Sequence, residues 1–314
     1  MRPRRAATLP RCGSSSRKSK GPTGRRAASR SQREPLRPVE AHPLFDVAPA
    51  RPIHCLSCLP GQPAGDGHSF QRSSRMSIAC TTKTIVAGGF GTRYLEGGTQ
   101  GRPVLVLIHD GGYGTTAENC WAGVMDELAG DFHIFAPELL GWGGTDKVVY
   151  LDRSPYAARV PHIAAFAGAV GIESAFYAGA SFGGSLTMRA TVAPGNPWKM
   201  KKAMSISGSG GPYRLPSGIE ALADYTPSIE AATRLTELVV GTTAGLEDHI
   251  RDRHEASLIP GHWECMNAPR LKNPSVDRAP PADPYLDQLR ALEIPALLVA
   301  GRHDPLLEAG WAQK

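Results

Sequence analysis

Residues Phe176 to Ser185 read Phe-Tyr-Ala-Gly-Ala-Ser-Phe-Gly-Gly-Ser, and this stretch sets the expectation for the fold. Residues 179–183 form a Gly-x-Ser-x-Gly pattern between a short apolar run and a helix-compatible segment. In a nucleophile elbow a strand turns so sharply into a helix that the serine backbone is strained, and small residues are required two positions before and after it. The pattern predicts a strand, a tight turn at Ser181 and a helix. The alternative is an ordinary Gly/Ser turn.

Apolar runs on both sides of this stretch predict further strands. Val104–Ile108 is continuously apolar, which is typical of a strand buried on both faces of a parallel sheet. Helix-compatible segments separate the runs, and one such helix is expected from about Pro161 to Val170 with the proline in its first turn. This alternation predicts an α/β protein with a doubly wound, mostly parallel sheet. The other expected strands are Thr82–Val86 and Thr92–Glu96 around a Gly-Gly hairpin turn, Phe132–Ala136, Ala203–Ser207 and Ala296–Ala300.

The composition divides the chain into four parts. Residues 1–75 are rich in Arg, Ser, Pro and Gly and are expected to be a disordered tail. Residues 76–211 carry the first part of the sheet, residues 212–288 break its rhythm and predict an inserted helical cap, and residues 289–314 return to the sheet.

The basic character of the chain belongs to its first quarter. Residues 1–75 contain 15 Lys/Arg and 4 Asp/Glu, whereas the remainder contains 20 and 25. A basic tail without interleaved aromatic residues does not favour nucleic-acid binding. An Arg- and Ser-rich start without acidic residues before Glu34 resembles an organelle transit peptide. The alternative, in which Met76 is the true start, favours a cytoplasmic protein.

The cysteines indicate neither a disulfide framework nor a metal centre. Cys55 and Cys58 form a Cys-x-x-Cys pair beside His54, but no second pair follows at zinc-site spacing. No apolar run reaches the roughly 20 residues that span a bilayer. We therefore expect no metal, no cofactor and no membrane association.

Three motifs in this order resemble the α/β-hydrolase superfamily. The elbow follows a strand that ends in His-Asp-Gly-Gly at residues 109–112, and it precedes a strand that ends in Gly-Arg-His-Asp at residues 301–304. The Leu-Leu-Gly-Trp-Gly turn at 139–143 and the run Arg-His-Glu-Ala-Ser-Leu-Ile-Pro-Gly at 253–261 are most similar to the meta-cleavage-product hydrolases, which cleave carbon–carbon bonds. Asp110 and Tyr113 depart from that pattern, since many relatives have Gly and Pro there.

The resemblance implies specific roles. Ser181 would be the nucleophile and Asp304 the acid that orients its base. The backbone N–H groups of Gly111 and Phe182 would form the oxyanion hole. Two further residues are expected to bind a carboxylate-bearing small-molecule substrate, namely Arg253, whose planar fork suits a carboxylate, and Asn119. On composition alone Arg253 is equally a solvated arginine, and Asn119 is equally a helix cap.

The expected catalytic histidine does not follow Asp304. His303 adjoins the acid, His109 belongs to the oxyanion loop, and His262 lies before the acid in the predicted cap. We therefore expect a truncated serine hydrolase whose last strand, last helix and histidine are missing. It would act by ester or carbon–carbon hydrolysis, and the sequence leaves both a monomer and a homo-oligomer open. The alternative is a catalytically inactive hydrolase-fold protein or a small-molecule binding module.

Overall fold

A computed structural model describes residues 80–268 and 283–314. Seven strands and eight α-helices lie in these ranges, and a 3₁₀ turn, Trp311–Gln313, comes last. The strands are β1 Thr81–Ala87, β2 Phe90–Gly98, β3 Val104–Ile108, β4 His133–Pro137, β5 Ala175–Ala180, β6 Met200–Ile206 and β7 Ala296–Val299. The helices are α1 Ala117–Leu128, α2 Pro155–Ala169, α3 Phe182–Thr191, α4 Pro216–Ala223, α5 Ile229–Val240, α6 Glu247–Ser257, α7 His262–Asn267 and α8 Tyr285–Arg290.

The strands form one sheet in the order β1-β2-β4-β3-β5-β6-β7. β1 and β2 are the predicted antiparallel hairpin, with Gly88 and Gly89 at positive φ in the turn, and β2 runs antiparallel to β4. The other five strands, β3 to β7, are parallel to one another, with β4 included through its pairing with β3. The prediction of an α/β fold with a mostly parallel sheet is therefore confirmed.

Strand β3 explains why the sheet is covered on both faces. Successive side chains of a strand point to opposite faces. Val106 and Ile108 join a buried cluster with the side chains of α2 and α3. Leu105 and Leu107 join a second cluster with Trp121 and Met125 of α1. A continuous apolar run is required because each face of the strand meets a helix.

Helix α2 begins earlier than the sequence indicated. Ser154 caps it by accepting a hydrogen bond from the Ala157 N–H at 3.2 Å, and Pro155 occupies its first turn. Pro161 consequently lies inside the helix, so the expected start near Pro161 was wrong. The proline at 155 satisfies the same first-turn preference, and Pro161 only removes one intrahelical donor.

Helices α4 to α7, residues 216–267, form a helical insertion between β6 and β7. Tyr113, from the loop after β3, is buried against this insertion in a cluster with Tyr225, Leu235 and Ile250. The rings of Tyr113 and Tyr225 stack with their centroids 4.2 Å apart. The insertion therefore packs on the loop at the carboxyl end of β3.

Some expectations concern residues outside the described ranges. These are the disordered tail at 1–75, the Cys55–Cys58 pair and residues 269–282 of the expected cap. Within the described ranges, no helix is both long and apolar enough to cross a membrane.

Two buried histidines brace the sheet. His109 follows β3, and its Nε2 accepts a hydrogen bond from the Leu139 N–H at 2.9 Å, so the ends of β3 and β4 are joined. His162 of α2 bonds through Nε2 to the Thr92 hydroxyl of β2 at 2.8 Å. Burial lowers the pKa of both histidines to about 4. Both rings are therefore neutral in the folded protein near neutral pH.

This neutrality predicts an acid-sensitive fold. An unfolded histidine takes up a proton near pH 6.5, whereas folded His109 resists protonation down to about pH 4. Its contribution is fully present above pH 6.5 and is lost as the pH falls from 6.5 to about 4, by on the order of 3 kcal/mol. In His109→Gln, whose amide oxygen can replace Nε2 as an acceptor, the free energy of unfolding should fall less steeply over this range. Denaturant titrations at several pH values measure the slope, and identical slopes in parent and variant would contradict the assignment.

Candidate functional site

Ser181 occupies the strained turn that the sequence predicted. It lies between β5 and α3 with φ 49° and ψ −111°, a backbone conformation that residues other than glycine rarely adopt. Its N–H donates to the carbonyl of Ile206, the last residue of β6, at 2.7 Å. This bond holds the turn at the carboxyl edge of the sheet, and it offsets part of the cost of the strained backbone.

The two glycines of the elbow are required by close backbone approach. A Cβ on Gly179 would lie 2.2 Å from the carbonyl oxygen of Gly183. A Cβ on Gly183 would lie 2.3 Å from the carbonyl oxygen of Ile108. No side chain fits at either position, so the strand-turn-helix prediction is explained by the packing of α3 on the ends of β5 and β3.

The residues predicted as oxyanion donors are in direct contact. Residues 109–114, which follow β3, form a loop that we call the Gly-rich loop. A Cβ on Gly111 would lie 2.6 Å from the Cβ of Phe182, so this loop touches the first residue of α3. The first N–H groups of a helix lack intrahelical acceptors, and the helix dipole favours negative charge there. The arrangement is suited to stabilising an oxyanion formed beside Ser181.

An aromatic stack fixes the ring of Phe182. The ring stacks on Tyr156 at a centroid distance of 5.5 Å and on Trp142 at 6.0 Å. The buried guanidinium of Arg159 lies 4.9 Å from the centroid of Trp142 and 5.7 Å from that of Phe182. The indole N–H of Trp142 also donates to the Gly112 carbonyl at 3.0 Å. The stack therefore joins the Gly-rich loop to α3.

Arg253 of α6 reaches this loop from the helical insertion. Its side chain is 4 % exposed, and its Nη2 lies 3.3 Å from Oδ2 of Asp110. Its Nη1 donates to the Tyr113 carbonyl at 3.3 Å. Burial opposes ionisation of Asp110, but the charge of Arg253 and bonds from Thr115 and Gly112 hold its pKa below the ordinary value. The alternative in which Arg253 is a solvent-exposed arginine was therefore wrong, because its guanidinium is buried and contacts Asp110.

Asn119 caps helix α1. Its Oδ1 accepts from the Thr116 N–H at 2.9 Å, and its own N–H donates to the Thr116 hydroxyl at 3.1 Å, which completes a capping box. Its Nδ2 donates to the Gly114 carbonyl at 2.8 Å. Both polar groups of the amide are thus used to shape the loop, which is the cap role that the sequence left open.

Asp304 lies on the same sheet edge as Ser181. The strand ends are level, because Ala180 of β5 pairs with Ile206 of β6, which pairs with Val299 of β7. Asp304 follows β7 by five residues, is partly buried, and accepts the Leu306 N–H at Oδ1 at 2.8 Å. This is the position expected of the acid of a serine triad.

His262 is a structural residue of the helical insertion. The ring is buried, with Nδ1 2.8 Å from the Gly141 carbonyl and Nε2 accepting the Gly114 N–H at 3.0 Å. Burial lowers its pKa below the ordinary value. Both nitrogens are occupied by backbone groups, so the ring cannot accept a proton from Ser181 without breaking these bonds.

The other histidines considered from the sequence are no better placed as bases. His109 has Nδ1 against the carbonyl of Asp110 and Nε2 against the N–H of Leu139, and His303 is exposed. Among the hydrogen bonds of the described residues, none joins a histidine nitrogen to the Ser181 hydroxyl.

The elbow packing predicts unequal effects of two Gly→Ala substitutions. Gly183→Ala should destabilise the fold by about 3 kcal/mol, the upper range for overpacking a rigid site, because the new Cβ meets the backbone of β3. Gly168→Ala is the matched control, since that glycine lies in α2 with open space around it. The control should be neutral or gain up to about 1 kcal/mol of helix propensity. Equal thermal melts for the two variants would contradict the packing argument.

Comparisons with known proteins agree with this geometry. The profile described as "Alpha/beta hydrolase family" matches residues 105–314. A 2-hydroxymuconate semialdehyde hydrolase of Pseudomonas sp. (strain CF600) is 28 % identical over 72 % of this chain and 78 % of its own length. A 2-hydroxy-6-oxo-2,4-heptadienoate hydrolase of Pseudomonas putida is 26 % identical over 72 % of this chain and 80 % of its own.

A solved structure gives the same similarity. A mutant of the meta-cleavage product hydrolase CumD superposes with a TM-score of 0.59 at 26 % sequence identity, covering 72 % of this chain and 81 % of CumD. The family profile spans about two thirds of the sequence and includes the elbow, the Gly-rich loop and Asp304. The chain therefore belongs to the alpha/beta hydrolase family.

Proposed function

We propose that this protein is a serine hydrolase of small carboxylate-bearing substrates. The observation that carries the proposal is the strained backbone of Ser181 directly beside the contact between Gly111 and Phe182. This geometry presents a hydroxyl next to two candidate oxyanion donors at a helix N-terminus.

The chemistry follows from these groups. The Ser181 oxygen attacks a substrate carbonyl, and its proton passes to a base oriented by Asp304. The N–H groups of Gly111 and Phe182 stabilise the tetrahedral oxyanion, at roughly 3–4 kcal/mol for a donor of this kind. Collapse of the intermediate breaks an ester C–O bond or a C–C bond, and the leaving oxygen or carbon takes up the proton held by the base. Water then attacks the acyl-serine, which releases the carboxylic acid and returns a hydrogen to the Ser181 oxygen.

Two observations favour a substrate with a carboxylate. Arg253 places a buried cation at the Gly-rich loop, and its Nε is buried without a hydrogen-bond partner among the described residues. Two similar proteins carry names of enzymes acting on 2-hydroxymuconate semialdehyde and on a 2,4-heptadienoate. We therefore propose ring-fission-type C–C hydrolysis as the leading reaction and ester hydrolysis as its variant.

The histidine bonds support a second candidate function. Within the described ranges His109 and His262 are held by backbone groups, so the protein itself offers Ser181 no bonded base there. A carboxylate-binding protein of the same fold, without turnover, is consistent with that arrangement.

Covalent labelling separates the two candidates. A fluorophosphonate probe should modify the protein at one site, Ser181, as located by mass spectrometry of its peptides. Ser181→Ala should remove the label. Ser185→Ala is the matched control, because Ser185 lies in the next turn of α3 and its hydroxyl bonds the Gly210 N–H at 3.1 Å and the side chain of Tyr156.

His262→Gln is a second control for the same experiment. Removing a true catalytic base lowers turnover by orders of magnitude. Because His262 braces backbone groups, its substitution should lower the melting temperature while labelling per folded molecule is retained. Labelling that persists in Ser181→Ala, or a parent protein that is never labelled, would contradict the hydrolase assignment, and the latter would favour the binding protein.

The substrate proposal makes a graded prediction for Arg253→Ala. Losing a hydrogen bond to a charged group should lower kcat/KM on a dienoate ring-fission product roughly 10- to 100-fold more than on p-nitrophenyl acetate. Arg251→Ala is the control, since Arg251 lies on the exposed face of the same helix and pairs with Asp248. Equal losses on both substrates would show that Arg253 only supports the fold.

A further inference from the structure

The loop after β3 supplies its own carboxylate to Arg253. Oδ1 of Asp110 accepts the Gly112 N–H and the Thr115 hydroxyl, both at 2.7 Å. These two bonds fix the carboxylate within its own turn, independently of the helical insertion. Oδ2 is thereby directed at Nη2 of Arg253, 3.3 Å away.

The guanidinium is only loosely bonded in return. Its two contacts, to Asp110 and to the Tyr113 carbonyl, are both 3.3 Å, which is longer than a well-formed charged hydrogen bond. Its Nε is buried and unpartnered among the described residues. Arg253 thus keeps unused donor capacity while its charge is already neutralised.

The pair is open on the side of the aspartate. The Asp110 side chain is 22 % exposed, whereas that of Arg253 is 4 % exposed. Gly112 lies directly against both members of the pair, since a Cβ there would be 2.4 Å from Nη1 of Arg253 and 2.9 Å from Oδ1 of Asp110. The space through which a ligand can reach the pair is therefore narrow. An incoming anion therefore meets the negative partner together with the positive one.

We propose that Asp110 is a specificity-determining residue, an internal counter-ion that competes with a substrate carboxylate for Arg253. The inference rests on the proposed function, because it takes Arg253 as the group that receives the substrate carboxylate. A charge within about 4–6 Å changes the ionisation equilibrium of a carboxyl group by a factor of about 10 or more. We expect an effect of the same size on the binding of a substrate carboxylate. Asp110 should therefore weaken the binding of a carboxylate, and it should have little effect on a neutral group of the same shape.

Asp110→Asn isolates this effect. The asparagine Oδ1 can still accept from Gly112 and Thr115, so the turn is retained while the negative charge is removed. Asp252→Asn is the matched control, since it removes the same charge from an exposed residue next to Arg253 in α6. Asp110→Ser is a second variant whose hydroxyl can accept the Gly112 N–H, in case the asparagine variant does not fold.

The test is calorimetric titration of the full chain with 2,4-hexadienoate, a stable dienoate, and with its neutral amide. Asp110→Asn should bind the carboxylate about tenfold or more tightly than the parent, without a comparable gain for the amide. Asp252→Asn should not show this gain. Adding Arg253→Met to Asp110→Asn should abolish it.

The outcomes separate the inference from the function on which it rests. Equal affinity of parent and Asp110→Asn for the carboxylate, with both preferring it over the amide, would overturn the role of Asp110 and leave the carboxylate site intact. If neither protein prefers the carboxylate over the amide, Arg253 receives no substrate carboxylate, and both statements fail. A gain that survives Arg253→Met would also overturn the inference.

Discussion

The contact between the first turn of α3 and the end of β3 determines the rest of the site. Gly183 lies against the carbonyl oxygens of Ile108 and His109. A Cβ added to Gly183 would be only 2.3 and 2.4 Å from these two oxygens, so no side chain fits there. Strands β3 and β5 are parallel neighbours whose ends are level, since Ile108 pairs with Gly179. The residues that follow the two strands are therefore forced together, which brings the Gly-rich loop against Phe182 beside Ser181.

Neutral imidazoles and the ion pair between Arg253 and Asp110 help to hold the loops in this position. His109 connects the ends of β3 and β4, and His262 connects the helical insertion to Gly114 and Gly141. Arg253 adds a charged contact from α6 to Asp110. Both ring nitrogens of His109 and of His262 lie against backbone groups, so neither ring bonds the Ser181 hydroxyl in this arrangement. The pair of Asp110 and Arg253 has a second consequence, because it determines what charge the loop presents to a ligand.

Much of this architecture could be predicted from the sequence, for physical reasons. The apolar run of β3 and the elbow glycines carry local sequence signals, so the sheet could be predicted and a sharp turn at Ser181 could be proposed beside an ordinary Gly/Ser turn. The start of α2 was not, because Pro155 and Pro161 both satisfy the first-turn preference. Partners distant in sequence were missed, such as Arg159 against Trp142, since a buried arginine on a helix has no local sequence signal. The roles of Asn119 and Arg253 also depended on such partners.

The central claim is that Ser181 attacks the substrate carbonyl, and that the oxyanion formed on the substrate points at the Gly-rich loop and the start of α3. The most direct measurement is a crystal structure of the protein after reaction with a small alkylphosphonate. The account predicts a bond from phosphorus to Oγ of Ser181, with the phosphonyl oxygen roughly 2.7–3.1 Å from the backbone nitrogens of both Gly111 and Phe182. An adduct on another residue, or a phosphonyl oxygen turned toward solvent and away from these two nitrogens, would contradict it.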